Sequence, residues 1–277
     1  MKKYTVIILL IFSTTLTFAQ KKDKIKGSKK VTTELREVGN FETIIVEDNI
    51  EVYLEKGETT GIKVEADSNL HEFISMELKD KTLRFFTTIE PIKFKKLVVK
   101  ITYTSDLKSV SSRNDAIVNA IQEVQIDSIA FKSIDNSKLF LNINTKNFVL
   151  EAIDKSQVEL NAKSEKIKIS LSGNAELKAL INGPEMICDL YQKAQANIEG
   201  AVPTAVIRLD NNSSFKGNKL TIKDLELVTE SASSAIVNAE TSISISAKSK
   251  SQVQLYGNAK IEMKKFTEEA KLFKKDK

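Results

Sequence analysis

Between residues 128 and 260, apolar and polar positions alternate in short runs, and the runs come in pairs around a polar corner. Phe148, Leu150 and Ala152 alternate with Val149 and Glu151. After the corner, Val158, Leu160 and Ala162 alternate with Glu159 and Asn161. The following coils read Ile167, Ile169 and Leu171 with Leu177, Ala179 and Ile181, then Met186, Cys188 and Leu190 with Ala196 and Ile198. A period of two predicts extended strands that bury one face.

The corners recur at a fixed interval. Small residues stand at Ser137, Ser156, Ala175, Ala194, Ser213, Ala232 and Ser251, with equal steps between them. They follow Asn136, Lys155, Asn174, Lys193, Asn212, Ser231 and Lys250. Asn tolerates the left-handed backbone that a sharp corner needs, so the turn is expected on this column. A fixed period of about 20 residues marks a solenoid, in which each unit buries its apolar face on its neighbours. The prediction is an all-β chain, a parallel β-helix or β-solenoid of about seven 19-residue coils. Leu225, Leu227, Ala235 and Val237 enter the frame only after a one-residue slip, which predicts a bulge or longer corner near Asp224. That slip makes Leu225 and Leu227 the candidate exposed apolar patch.

The preceding stretch, 36–110, is also read as strands with longer connections: Thr43–Val46, Ile50–Leu54, Ile62–Ala66, Ser75–Leu78, Thr82–Thr87 and Leu97–Tyr103. The segment Thr88–Lys96, with Pro91, is the longest interruption. Residues 261–277 are expected to cap the last coil, as a helix with Phe266, Ala270 and Phe273 on one face or as a final strand and tail.

The start of the chain has a different character. Lys2 and Lys3 precede an apolar run from Val6 to Phe12, and Thr17-Phe18-Ala19 ends it on a small residue. This is the pattern of a secretory signal peptide over 1–19, cleaved before Gln20. The expected address is exported, either periplasmic or at the cell surface or beyond, and not membrane-spanning after cleavage. Residues 20–35 are expected to form a basic linker: 20–30 carries six lysines against Asp23. The excess positive charge therefore lies in these leading segments, and the body from Val31 is slightly acidic. That distribution argues against a nucleic-acid surface.

Candidate chemistry is sparse. Cys188 is the only cysteine and falls on an inward column, so no internal disulfide is possible and an inert buried thiol is expected. With one histidine, His71, neither a multi-histidine metal site nor a catalytic triad is expected within one chain, and His71 itself is read as a surface loop residue. No phosphate-binding glycine loop occurs. No cofactor or metal is called for. Asp135 and Asp154 stack in neighbouring coils, but Gly173, Gln192 and Asn211 continue that column, which reads as a polar corner ladder. Arg113, Asn114 and Asp115, at the junction before the coils, form the one other polar cluster of interest.

The order of these segments resembles a known family. Arg36-Glu37-Val38-Gly39-Asn40-Phe41-Glu42-Thr43-Ile44-Ile45-Val46, then Asn49-Ile50-Glu51-Val52-Tyr53-Leu54, then Ile62-Lys63-Val64-Glu65-Ala66-Asp67-Ser68-Asn69-Leu70 are similar to the bacterial "putative auto-transporter adhesin, head GIN domain" family. Lys79-Asp80-Lys81-Thr82-Leu83, Val99-Lys100-Ile101 and Leu107-Lys108-Ser109-Val110 fit as well. The resemblance covers about 36–260 and implies an exported β-helical domain, surface-associated, with no established chemistry. Ser111-Ser112-Arg113-Asn114 stands where the family tends to have glycines, so a wider corner is expected there. On this reading the chain is a non-catalytic binding or structural module, adhesin-like, whose partner is an envelope glycan or a surface protein. The alternatives are a carbohydrate-active β-helix enzyme and an extracytoplasmic partner of a membrane complex.

Overall fold

The computed structural model describes residues 22–276. Twenty-one strands and one short 3-10 turn, His71–Phe73, make up the described chain. The expected solenoid is present, with about nine turns rather than seven. The extra turns come from strands at either end that stack in the same way: those at the N-terminal end leave the regular interval, whereas at the C-terminal end Lys271 still pairs with Gln252 one repeat before it.

The regular coils show how the sequence builds the fold. Strand β12 (Lys138–Ala152) lies on β13 (Gln157–Leu171) in parallel, with Leu139 beside Val158 and Leu150 beside Ile169. Strands β14 (Glu176–Asn182) and β15 (Glu185–Leu190) continue the two sides of β13, and β16 (Gln195–Leu209) rejoins them. Inward residues form columns whose sizes compensate: Val158, Leu177, Ala196 and Phe215 follow one another, all buried. Leu150, Ile169, Cys188 and Ile207 form the facing column and are fully enclosed. Each strand would be marginal alone; stacking supplies both its backbone partners and its apolar cover.

Every coil has two corners. One is a tight turn closed by a backbone bond, as from the Ser156 amide to the Ile153 carbonyl at 3.3 Å. The left-handed residue is not on the Asn136/Lys155 column but one position earlier: Asp135, Asp154, Gly173 and Gln192 have φ of 61–73°. From Asn211 onward the turn changes, and pairs are left-handed: Asn211–Asn212, Ser231–Ala232, Ser249–Lys250 and Glu268–Glu269. The second corner carries no turn. Pairing runs through Thr145 and Ser164, skips one residue, and resumes at Asn147 and Lys166, so the chain simply bends.

The departures from the regular interval are local. In β11 (Ile117–Ser133) Ala120 pairs with Leu141, whereas Val124 pairs with Ile143, so β11 spends two more residues than β12 between those rungs. The surplus is accommodated at Ile121–Glu123, which bulges into solvent. The slip expected near Asp224 lies earlier in β17 (Ser214–Thr229). Lys216 pairs with Asn197 at the regular interval, but Leu220 pairs with Gly200, one position further back, so the surplus residue falls within Gly217–Lys219. The extra residue also displaces the corner column, and Ser233, not Ala232, occupies the enclosed corner position.

The N-terminal part closes the stack. Strand β4 (Glu51–Lys56) and β9 (Leu97–Tyr103) extend one side in parallel; β3 (Thr43–Val46), β7 (Thr82–Thr87) and β10 (Ser109–Ser112) extend the other. Antiparallel β5 (Gly61–Asp67) then covers β9, and β6 (Ile74–Lys79) covers β7, which ends the parallel ladders.

The part of the 20–35 linker that is described is instead folded. Strand β1 (Lys24–Lys26) pairs with β8 (Glu90–Ile92) inside the expected loop Thr88–Lys96, and β2 (Val31–Arg36) pairs antiparallel with β5. The lysine-rich composition hid this, because the lysine side chains stay outside while the backbone is held (Lys29 donates its amide to the buried Asp67 carboxylate at 2.7 Å).

At the other end, of the two expected forms, the strand is present and the helix does not form. Strands β20 (Lys260–Phe266) and β21 (Lys271–Lys274) lay one more coil on β18 (Ser234–Ala247) and β19 (Gln252–Tyr256). A helix would leave those two ladders without partners, so the backbone continues the coil even though Phe266 and Phe273 remain exposed.

Candidate binding face

The solenoid side that carries β4, β11, β12, β13, β14 and β16 has an unusual outer surface. Pairing places Tyr53, Asn119, Phe140, Glu159, Lys178 and Asn197 in one outward column along the stack. Two residues further along the strands, Asn142, Asn161, Leu180 and Glu199 form a second column. Asn161 donates its side-chain amide to Asn142 Oδ1 at 3.0 Å, and Asn142 donates to the Ile121 carbonyl at 3.4 Å. Ile121 and Leu180 bracket this ladder and stand 65% and 47% exposed. The strip forms an open groove of about 700 Å³.

Two more grooves adjoin it. One of about 710 Å³ runs over the second corner, between Asn144, Lys146, Lys163 and Pro184. The other, about 620 Å³, lies toward the N-terminal end beside Tyr53, Phe94 and Ile117. Between the grooves, Asn119 is nearly buried and donates to Glu51 Oε1 at 3.1 Å and to the Val52 carbonyl. Tyr53 also donates to Glu51, at 2.8 Å, and this bond to the carboxylate raises the phenol above its ordinary range. Glu199 pairs with Lys219 at 3.0 Å. The face is therefore rigid, mixed in polarity and close to neutral.

The residues singled out from the sequence lie elsewhere. Arg113, Asn114 and Asp115 sit on the tight-turn corner and are exposed. The corner is not wider than the others: Ala116 donates its amide to the Arg113 carbonyl at 3.1 Å, and Asn114 supplies the left-handed φ of 58° that glycine would otherwise give. Their bonds are fasteners between coils. The Asn114 amide reaches Asp135 Oδ2 at 3.0 Å, and Asn136 donates to Asp115 at 3.3 Å. Leu225 and Leu227 are not exposed. They pair with Ala205 and Ile207 on the inward face and are buried, because the surplus at Gly217–Lys219 restores the alternation before β17 reaches them.

His71 also differs from expectation. Its ring is mostly enclosed and stands between Thr32 and Glu34, with Nδ1 at 3.0 Å from Glu34 Oε2 and Nε2 at 2.9 Å from Thr32 Oγ1. The hydroxyl, imidazole and carboxylate of a triad are thus in line, which one histidine did not rule out. Nε2 also lies 3.2 Å from the Thr32 carbonyl oxygen, an acceptor only. Arg36 shares Glu34 at 3.2 Å and holds its carboxyl below the usual range, with help from His71. Together these contacts pin β2 to the His71–Phe73 turn. Cys188 is fully buried, and desolvation pushes its thiol far above its ordinary value. Among the described residues no three His, Cys, Asp or Glu side chains gather into a group able to hold a metal ion. No helix among them is long and apolar enough to cross a membrane.

A capped parallel β-solenoid of this kind belongs to the class of repeat proteins in which each coil packs only on its neighbours, here with an outward strip of aromatic, amide and apolar side chains. The chain belongs to the family described as "Putative auto-transporter adhesin, head GIN domain", whose model matches residues 40–259. A comparison with the curated proteins finds no match. Among solved structures, it is similar to a "putative adhesin" from Parabacteroides merdae, at 17% identity and TM-score 0.69 over 91% of this chain and 99% of that one. A "putative adhesin" from Parabacteroides distasonis gives 17% identity and TM-score 0.67 over 90% and 99%. A "putative lipid binding protein" from the same species gives 13% identity and TM-score 0.65 over 91% and 100%. At these identities the likeness is one of fold.

Proposed function

We propose that this chain is an exported, non-catalytic binding module of the cell envelope, adhesin-like in role, acting in the periplasm or at the cell surface. Residues 36–260 are its working domain. The single observation that carries the reading is the strip of Phe140, Asn142, Asn161 and Leu180 presented on a rigid stack of coils. Family membership and the adhesin-like names of the related structures support it.

Bond cleavage by acid–base chemistry requires at least two positioned ionisable groups beside a site that excludes water. Two carboxylates of the strip are instead bound to neighbours, Glu51 by Tyr53 and Asn119 and Glu199 by Lys219, and Glu159 stands exposed to water. The partner is an envelope glycan or a surface protein. Immobilised 20–277, incubated with solubilised envelope fractions and assayed in parallel against acidic and neutral polysaccharides, tests the reading. Specific capture without turnover is expected. Turnover that disappears in Arg113→Ala or Asp115→Ala, with the fold intact, would overturn it in favour of an enzyme.

A further inference from the structure

We propose that the strip centred on Phe140, Asn142 and Asn161 is a subsite for a neutral, extended, β-linked oligosaccharide; this rests on the binding-module reading and gives it a ligand class.

The first argument is the pairing of surfaces. A pyranose ring has an apolar face of C–H groups and a rim of hydroxyls, and it needs both matched at once. Tyr53 and Phe140 flank Asn119 in one column, two strand spacings apart, or about 10 Å. Beside them the exposed Ile121 and Leu180 bracket the amide ladder. The two aromatic rings therefore lie beside the two consecutive amides of Asn142 and Asn161, which Ile121 and Leu180 close off on either side.

The second argument is the valence of the amides. The ladder uses one N–H of Asn161 and the oxygen of Asn142, and Asn142 uses one N–H on Ile121. By count, each amide retains an N–H, and Asn161 retains its oxygen. A hydroxyl both donates and accepts, and so matches such a set; a carboxylate or phosphate only accepts and would leave the Asn161 oxygen unmatched. A ladder present for structure alone would have no reason to stop after two rungs with large apolar side chains exposed at both ends, since exposed apolar surface lowers solubility.

The third argument is charge. Glu159 lies beside Lys178 in the next coil, and Glu199 is paired with Lys219. An anionic chain would meet the strip's carboxylates, and a cationic one its lysines. A neutral chain meets neither as a net field. The coils keep one parallel register here, so the groove runs open along the stack. Extended ribbons, the shape of β-linked chains, fit such a groove. With no end wall, it takes an internal segment of a chain.

The test is titration calorimetry of purified 20–277 with β-linked glucose, xylose and N-acetylglucosamine oligomers of two to six rings. Polygalacturonate, dextran sulfate and phosphatidylglycerol vesicles serve as comparisons. At least one neutral series is expected to bind, with affinity rising with ring number. Phe140→Ala and Asn161→Ala should each weaken it roughly tenfold or more without changing the melting temperature, whereas Lys168→Ala, on the opposite side of the solenoid, should leave it unchanged. Binding confined to the acidic polymers or the vesicles would overturn the proposal, as would neutral binding indifferent to both strip substitutions. Capture of an envelope component with no affinity for any neutral oligomer sinks the ligand class alone. Capture of nothing at all sinks the binding-module reading with it.

Discussion

The carboxylate of Asp67 accepts the backbone amide of Lys29 at 2.7 Å, joining residues 38 positions apart in the chain. The same carboxylate accepts the amides of Lys95 and Lys96, both at 3.0 Å, and is itself fully buried. One side chain thus fastens three separate stretches of the N-terminal cap. Asp67→Ala leaves those amides without their acceptor and is expected to cost about 3 kcal/mol or more. A lowered melting temperature, with new protease cuts between residues 22 and 30, is the readout. A variant that melts like the wild type would show that the cap is held by other means.

Acid should loosen the same region. Lys108 and Lys81 bring Glu42 down to about 2, and Lys96 and Lys63 do the same to Glu65. The amides of Lys29, Lys96 and Lys95 hold Asp67 below its ordinary value against the opposing effect of burial. A carboxyl lowered in the folded state binds protons more readily when unfolded. Its stabilisation is therefore complete above the unfolded value near 4.5 and is lost as pH falls toward about 2. Thermal melts should be flat from pH 7 to roughly 5 and decline below that. Glu42→Gln should flatten part of the decline.

The coil frame has a sharp test in Leu150. It is fully enclosed between Phe131 and Ile169 in its column. Leu150→Asp would place an unpaired charge there and is expected to cost about 4 kcal/mol or more. Ile169→Val, which removes one methyl group from the same column, should cost about 1 kcal/mol. Urea unfolding of the two variants should separate them clearly.

Gly200 carries a backbone constraint that no other residue type meets. Its φ is +118°, and a Cβ there would lie 2.0 Å from the Ile181 carbonyl oxygen. Gly200→Ala is expected to destabilise by roughly 2–3 kcal/mol. At Gly61 the nearest atom to a new Cβ is 3.7 Å away, so Gly61→Ala should be close to neutral. Equal melting temperatures for the two would contradict this geometry.

Residues 1–19 lie outside the described part of the chain, and their reading as an export signal remains a proposal. Envelope protein is expected to begin at Gln20. N-terminal sequencing that returns Met1 would remove the basis for an envelope role.

What is legible in the sequence follows from what repeats. Ser137, Ser156, Ala175, Ala194 and Ser213 are visible because each fills the same enclosed corner, and a larger residue would not fit. The expectation fails at Ala232 because one surplus residue at Gly217–Lys219, on the open side of a coil, leaves no mark in a count of small residues. Leu225 and Leu227 look displaced for the same reason. The sequence places the left-handed column one residue late because the Asn residues of the corner, Asn136 and Asn174, draw the reading away from Asp135, Asp154 and Gln192, which carry the positive φ. The binding strip escapes the sequence reading although part of its signal is present, since Asn142 and Asn161 lie one repeat apart. Tyr53 joins them only through the parallel pairing of β4 with β11, which no repeat in the chain announces. Asp67 is hidden similarly, its partners being backbone amides of residues whose side chains say nothing about the contact.

The ladders that hold each coil to the next run along the length of the stack, with the antiparallel cap at one end and β20 and β21 at the other. A tensile load applied between those ends would pull on the hydrogen bonds lengthwise, so they would part in sequence rather than shear together. Each coil that detached would release about 65 Å of extended chain, absorbing work while the remaining coils stayed intact. Under an anchored ligand, the molecule would behave as a shock absorber that gives way one coil at a time.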